Sequence, residues 1–166
     1  FAPVTMEAWV RPTQHETKAC QFIIGSDIVT EFGMGLAVCE AILGAEYIKG
    51  MIYSKQVVPL GEWSHVAAVF GESETRLYFN GKLVKTGPPT DLTASNTDQT
   101  TFVIGNVGKG NPISFFTGYI RSARISSGER FDSDFVPDEE CTPDPDDDPN
   151  RAVFVFDGSL VGTKPN

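Results

Sequence analysis

Residues 61–87, GEWSHVAAVFGESETRLYFNGKLVKTG, carry the clearest structural pattern in the chain. Residues 63–70 are almost continuously apolar, which is typical of a strand covered on both faces. After a polar turn at 71–74, residues 75–79 alternate between apolar and polar side chains and predict a second strand. Asn80-Gly81 indicates a tight hairpin, because a type I′ turn needs positive φ at both central residues. The stretch therefore predicts three antiparallel strands joined by two turns.

The two faces of these strands differ in character. If both turns close as written, one face is apolar and joins the core, with these members: Val66, Ala68, Phe70, Leu77, Phe79 and Val84. The opposite face carries His65, Arg76 and Tyr78. This second face is semi-polar, and we expect it either to pack on loops or to meet a ligand.

Composition narrows the class of protein. The chain has 166 residues, and its 16 Gly and 11 Pro separate short apolar runs, which favours an all-β sandwich over a helical protein. The formal net charge of −9 argues against nucleic acid and anionic membranes as partners, since phosphate binding needs clustered Lys and Arg. No apolar run is long enough for a membrane span, so no membrane insertion is expected.

Several segments, taken in order, resemble the laminin-G-like, concanavalin A-type jelly-roll modules of bacterial secreted and surface proteins. Besides 61–87 they are VTMEAWVRP at 4–12, FVIGN at 102–106, FTGYIRSARI at 116–125, and FVP at 135–137 followed by FVFD at 154–157, an ending similar to that of planctomycete-type modules. The resemblance implies an all-β fold, a two-sheet antiparallel β-sandwich of the jelly-roll type, as a single domain over residues 1–166. It also implies a secreted or cell-surface protein, with the periplasm as an alternative location.

The three cysteines are Cys20, Cys39 and Cys141, an odd number without the spacing of a zinc site. If residues 20–25 and 34–39 form a hairpin, Cys20 and Cys39 lie opposite each other and a disulfide is geometrically possible. Such a bond would suit an exported protein. The alternative is that both are buried free thiols. Cys141 is then left unpaired or bonded to another chain.

An acidic, proline-rich segment, PDEECTPDPDDDPN, occupies residues 137–150. Its like charges and its prolines are unsuited to a packed element, so we expect a solvated connector. A metal-binding loop is the alternative. Residues 152–156 are apolar throughout and need a place in a sheet, so the segment is not expected to separate two domains.

Catalysis is not expected. The fold implied by the resemblance also occurs in laminarinase-type glycoside hydrolases, which need two carboxylates at a fixed spacing on one strand. The nearest acidic triplets here, 129–134 and 138–140, lie in turn-rich sequence, and Glu7 is a strand carboxylate without an acidic partner two residues away. Neither His15 nor His65 lies in a nucleophile motif. A glycoside hydrolase is therefore the least favoured reading, and His65 is expected to be structural.

The resemblance implies that many relatives carry one Ca²⁺ near the edge of the sandwich. Calcium binds six to eight oxygen ligands, usually on loops. Asp157 is the first candidate ligand, because it lies at the family-like Phe-Asp ending, and Asp91 and Asp98 are weaker ones. One departure argues against calcium: Arg121-Ser122 stands where relatives often have Asp-Glu.

Carbohydrates are bound by aromatic side chains that stack on sugar rings and by amides that contact hydroxyl groups. The candidate ligand-binding residues are Tyr47, Tyr53, Tyr78, Asn106 and Tyr119. Trp9 and Trp63 lie among apolar strand residues and are expected in the core. The resemblance implies a non-catalytic recognition or adhesion module that binds a glycan or an extracellular protein. The alternative is a structural module that packs against neighbouring domains or subunits.

Overall fold

The computed structural model describes residues 3–26, 34–47, 50–89, 102–106 and 114–141, together with the backbone of 152–161. Within these ranges the regular elements are all β-strands, and no helix is long or apolar enough to cross a membrane. The strands are β1 (Val4–Pro12), β2 (Cys20–Ser26), β3 (Gly35–Cys39), β4 (Ile42–Tyr47), β5 (Gly50–Val57), β6 (Ser64–Phe70), β7 (Thr75–Phe79), β8 (Lys82–Gly87), β9 (Phe102–Ile104), β10 (Gly118–Ser127) and β11 (Ala152–Val161).

The strands form two sheets. The order is β11-β10-β1-β6-β7-β8 in the six-stranded sheet and β5-β4-β3-β2-β9 in the five-stranded sheet. Neighbouring strands are antiparallel throughout, and a single isolated parallel bridge joins Phe22 to Phe115 among the described residues. Strands close in sequence pair as hairpins, while β1 lies between the distant strands β6 and β10. The predicted two-sheet antiparallel sandwich is confirmed.

The stretch that predicted the fold adopts the expected conformation. Strands β6, β7 and β8 are consecutive neighbours, and Val66 lies opposite Phe79 in the β6–β7 pair. Asn80 and Gly81 join β7 to β8 with φ values of 48° and 75°, as a two-residue hairpin turn requires. The local sequence therefore contains enough information to specify this hairpin.

The core lies between the sheets and follows the predicted alternation. Val66, Ala68, Phe70 and Leu77 are fully buried in it, while Phe79 and Val84 are partly buried at its border. The other buried core residues come from both sheets and from the segments between strands: Val4, Met6, Ala8, Val10, Ile23, Ile24, Met34, Leu36, Val38, Leu43, Ala45, Ile52, Val58, Phe116, Ile120, Ala123 and Ile125. Burial of these apolar side chains is the main force that holds the two sheets together.

Residues 128–141, which we call the covering segment, pack on the outer face of the six-stranded sheet. Phe131 and Phe135 stack on each other and contact the outward-facing residues Ala67, Val69 and Tyr78. The backbone N–H of Phe135 donates to the Gly81 carbonyl (2.8 Å). The sheet face with His65, Arg76 and Tyr78 is therefore buried under a loop.

The covering segment includes the first residues of the predicted connector 137–150. The Asp138 carbonyl accepts a hydrogen bond from Trp9 Nε1 (2.8 Å), and the Cys141 N–H donates to Ser122 Oγ (3.0 Å). Residues 137–141 are thus held on the sheet by hydrogen bonds, which the charge pattern did not predict. Residues 142–150 lie outside the described residues. The following strand β11 pairs with β10, so 152–156 lie in a sheet as expected.

Cys20 and Cys39 lie directly opposite each other in the β2–β3 pair and form a disulfide. The predicted pairing is confirmed. Cys141 is a free thiol with only 2% of its surface exposed. A bond from this sulfur to another chain would first require the covering segment to open.

Candidate ligand-binding surfaces

A charged cluster lies beneath the covering segment. Glu7, from β1, is 3% exposed, and its Oε2 accepts a hydrogen bond from His65 Nε2 (3.0 Å). Its Oε1 accepts one from Arg124 Nε (2.7 Å), while Arg130 Nε lies 3.3 Å from the same oxygen. Strand order produces this arrangement, because β6 and β10 flank β1 and Arg124 lies directly opposite Glu7. Glu7, which has no second acid two residues away on its strand, is thus the centre of an ionic network.

The charge state of Glu7 follows from its neighbours. Burial by itself would raise the pKa of this carboxyl, but the hydrogen bonds from His65 and Arg124, together with their charges, lower the pKa below its ordinary value. Glu7 therefore remains ionised at neutral pH and is unsuited to donate a proton as a general acid. The structural role expected for His65 agrees with its position beside this buried carboxylate.

Glu7, His65 and Cys141 place their ligand atoms within 4.8 Å of one another. This group is a poor calcium site, because calcium prefers oxygen ligands and the guanidinium of Arg124 repels a cation. Burial, followed by the charge of Glu7, raises the pKa of the Cys141 thiol to about 12, so the sulfur stays protonated at neutral pH. We assign the cluster a structural role.

The predicted calcium ligands lie elsewhere. Asp91 and Asp98 are outside the described residues. Asp157 belongs to β11, of which only the backbone is described. Calcium binding at these residues remains a prediction.

Tyr78 does not reach the surface. Its side chain is 0% exposed beneath Phe131 and Phe135, and its hydroxyl donates to the Phe131 carbonyl (3.1 Å). The prediction that Tyr78 contacts a ligand is wrong for this structure, since the covering segment occupies the face on which it lies. Alternation along β7 identified the face correctly but could not show what covers it.

The two tryptophans are also placed differently from the prediction. Trp9 and Trp63 are half-buried on the outer side of the six-stranded sheet, and neither belongs to the core between the sheets. Trp9 contacts the ring of His65 edge-on and is bonded to the covering segment. Trp63 lies against the guanidinium groups of Arg11 and Arg121. In β1 the buried Ala8 and Val10 take the core positions, so alternation puts Trp9 on the opposite face.

The four remaining candidates lie in different places. Tyr47 is partly buried against the core. Asn106 is half-buried just after β9, and its Oδ1 is buried without a hydrogen-bond partner among the described residues. Tyr119 is half-buried on β10, beneath the guanidinium of Arg11. Tyr53 lies on β5 and is 47% exposed. The structure thus does not bring the predicted ligand-binding residues together into one site.

Tyr53 instead borders a cavity at the five-stranded sheet, which we call the disulfide cavity. Its volume is about 510 Å³, and it is lined by Lys18, Ala19, Cys20, Cys39, Glu40, Ile42 and Tyr53. An exposed aromatic ring and two opposite charges therefore surround an open, partly apolar concavity. This combination is typical of sites that bind small polar ligands such as sugars.

Local backbone geometry shapes the rim of the disulfide cavity. Glu40 and Ala41 form the β3–β4 turn with φ values of 49° and 84°, although neither is a glycine. Left-handed conformations cost such residues about 1–2 kcal/mol each, and strain of this kind concentrates at functional sites. Sequence reasoning missed Glu40 because the turn has none of the residues that usually mark one. It also missed Lys18, which lies in an irregular segment.

The chain belongs to the concanavalin A-like lectin/glucanases superfamily, because a laminin-G-type family model of that superfamily matches residues 1–134. This confirms the resemblance seen in the sequence. No curated protein matches the chain significantly by sequence.

Solved structures share the fold at low sequence identity. A proposed carbohydrate-binding protein from Bacteroides ovatus is 19% identical, with a TM-score of 0.65 over 79% of this chain and 39% of its own. The CBM40 module of the Ruminococcus gnavus IT-sialidase, bound to α2,3-sialyllactose, is 16% identical. The match has a TM-score of 0.63 and covers 79% of this chain and 78% of that module. A heptameric SAP-like pentraxin from Limulus polyphemus is 16% identical. The match has a TM-score of 0.62 and covers 97% of this chain and 82% of the pentraxin chain. The chain spans 39% of the length of the first of these.

Proposed function

We propose that this domain is a non-catalytic recognition module of an extracellular protein and that it binds carbohydrate at the disulfide cavity. The observation that carries the proposal is the half-exposed ring of Tyr53 at the rim of the cavity, with Lys18 and Glu40 beside it. The ring offers an apolar face to a sugar, while the two charged groups can bind its hydroxyls. The disulfide joins Cys20 and Cys39, which both line the site.

Two further observations support the proposal. Several proteins with the same fold are carbohydrate-binding by their own descriptions, including one bound to sialyllactose and a GH43 arabinanase domain from Geobacillus stearothermophilus bound to arabinotriose. Disulfides persist mainly in oxidising compartments, which favours a secreted or surface-exposed protein. The alternative is a structural module, which a disulfide from Cys141 to another chain would have favoured. The thiol of Cys141 is buried, so this argument for the alternative is lost.

The test is a glycan array, followed by calorimetry with the best ligand. Tyr53→Ala should weaken binding about fivefold, because aromatic contacts of this kind contribute about 1 kcal/mol. Tyr53→Phe should retain most of the affinity, since it keeps the ring. Leu60→Ala is the matched control, because Leu60 is 49% exposed and does not line the cavity. A blank array at high protein concentration, or equal affinity of wild type and Tyr53→Ala, would contradict the proposal.

A further inference from the structure

A second surface, on the opposite sheet, combines arginine and aromatic side chains. Arg11 Cζ lies 5.2 Å from the centre of the Trp63 ring and 4.4 Å from that of Tyr119. Arg121 Cζ lies 4.6 Å from the centre of the Trp63 ring. All four side chains are half-buried, so each keeps part of its surface accessible. We call these four residues the arginine–tryptophan patch.

The fold brings the patch together from three strands. Arg11, the last but one residue of β1, lies directly opposite Tyr119 on β10, and Trp63 immediately precedes β6. Residue 121 is an extra residue in β10, since Val10 pairs with Ile120 while Trp9 pairs with Ser122. Bulges of this kind redirect a side chain and are frequent beside functional sites. The bulge makes room for Arg121 next to Trp63 without disturbing the buried residues on either side.

The charges of the patch are unbalanced. Among the described arginines, Arg76 pairs with Glu129, and Arg124 and Arg130 both pair with Glu7. Arg11 and Arg121 form no ion pair or hydrogen bond with the residues that the structure describes. These two arginines therefore lie on the same tryptophan, in a chain whose net charge is −9. In an acidic protein this is a local concentration of positive charge.

The chemistry of stacked arginines indicates what they would bind. A guanidinium that stacks on an aromatic ring is held in place through its face, while the N–H donors at its edge remain free. Carboxylate and sulfate groups accept two such donors side by side. Side chains held in position by stacking also lose less conformational freedom when a ligand binds.

We infer that the arginine–tryptophan patch binds an anionic sugar, through a carboxylate or sulfate group that receives hydrogen bonds from Arg11 and Arg121. That the ligand is a sugar rests on the proposed function. That the ligand is negatively charged follows from the two guanidinium groups alone. This site is separate from the disulfide cavity, to which none of the four residues contributes. Variants of the two surfaces can therefore be tested independently.

The experiment measures the affinity of the whole chain for three probes by calorimetry: an oligogalacturonate, a heparin-derived oligosaccharide and an uncharged maltooligosaccharide of similar length. At least one anionic probe should bind, and the response to the other distinguishes carboxylate from sulfate recognition. Arg11→Gln and Arg121→Gln should each weaken that binding at least about tenfold, as expected for the loss of a charge-assisted hydrogen bond. Lys85→Gln removes the same charge from an exposed position on β8 and should change the affinity less than twofold.

Melting curves show whether each variant is folded. Arg121→Lys is a milder second variant, which keeps the positive charge but loses the planar arrangement of the guanidinium N–H donors. It should bind more weakly than wild type and more tightly than Arg121→Gln. Failure of both anionic probes to bind would overturn the inference. Anionic binding that is lost in Tyr53→Ala but kept in Arg11→Gln and Arg121→Gln would also overturn it, while leaving the proposed function intact.

Discussion

Glu7 shows how a single charged residue is accommodated inside this sandwich. Its carboxylate is 3% exposed and receives hydrogen bonds from His65 and Arg124, so its negative charge is balanced where water is absent. Charges taken out of water are tolerated only when they are paired in this way. Removal of one partner leaves the other buried without compensation. Glu7 is therefore a residue on which the stability of the covered sheet face depends.

We predict that Glu7→Gln lowers the free energy of unfolding at pH 7 by about 3–5 kcal/mol, the range for breaking a buried ion pair. The folded-state pKa of Glu7 lies below its ordinary value of 4.5. The stabilisation is therefore complete above that value and is lost as the pH falls through the folded-state pKa. Urea unfolding of wild type and variant at several pH values measures the difference, which should shrink in acid.

The control for this prediction is Glu74→Gln. Glu74 is 40% exposed and lies 3.9 Å from Arg76, so its loss should change the free energy of unfolding by less than about 1 kcal/mol. A difference between wild type and Glu7→Gln that stays constant from pH 7 into acid would contradict the argument from ionisation.

At the scale of structural elements, the covering segment and the β7–β8 turn depend on each other. The Gly81 carbonyl accepts a hydrogen bond from the Phe135 N–H, and Asp134 Oδ1 accepts one from the backbone N–H of Leu83 (2.9 Å). A Cβ atom at Gly81 would collide with the carbonyl oxygen of Phe135. Gly81 is thus required twice, once by its left-handed φ and once by the close approach of the covering segment.

Gly81→Ala should therefore destabilise the protein more than Gly61→Ala. Both glycines have a φ of 75°, but a Cβ at Gly61 would meet nothing within 4 Å. Each substitution introduces left-handed strain of about 1–2 kcal/mol. Gly81→Ala should lose about 1–3 kcal/mol more, as is usual when atoms are forced into packed space. Urea unfolding measures both losses, and faster hydrogen exchange at the Phe135 amide should accompany only the first variant. Equal losses would show that the covering segment does not press on the turn.

At the scale of the whole molecule, the two sheets have different outer faces. On the six-stranded sheet the covering segment packs over Ala67, Val69 and Tyr78 of β6 and β7, and the arginine–tryptophan patch lies where β1 and β10 meet the start of β6. The five-stranded sheet carries the disulfide cavity. The proposed binding surfaces therefore lie on opposite sides of one core, and a ligand at either surface needs no change in the packing between the sheets. Calcium bound at Asp157 would stabilise the folded molecule as a whole.

If one Ca²⁺ is bound, calcium at a hundredfold excess over its dissociation constant should stabilise the fold by about 2.7 kcal/mol relative to EDTA. Thermal melting with EDTA, with Ca²⁺ and with Mg²⁺ measures the effect, and Asp157→Asn should abolish it. The same melting temperature in EDTA and in excess Ca²⁺ would remove the metal proposal for Asp157, Asp91 and Asp98 together.

Local sequence by itself determined the strands, the hairpin at Asn80-Gly81 and the core face of the three strands in residues 61–87. The cysteine positions made a Cys20–Cys39 disulfide possible but left two free thiols as the alternative, and the structure decided for the disulfide. Each of these features depends on residues close in the chain or on a simple alternation, and the resemblance to the family supplied the arrangement of two sheets. The sequence could not show what covers an outward face, so Tyr78 was expected to contact a ligand. The two tryptophans were expected in the core because of their apolar neighbours, although Ala8 and Val10 occupy the core positions beside Trp9.

Tertiary structure alone decided the candidate sites. Glu7 and Arg124 are 117 residues apart in sequence, and Tyr78 and Phe131 are 53 apart. The disulfide cavity and the arginine–tryptophan patch likewise combine residues from separate strands. Periodicity reports on which side of a strand a residue lies, because that is a property of the local backbone. Its partners across the sheet are fixed only when distant strands pair and the chain folds back over them.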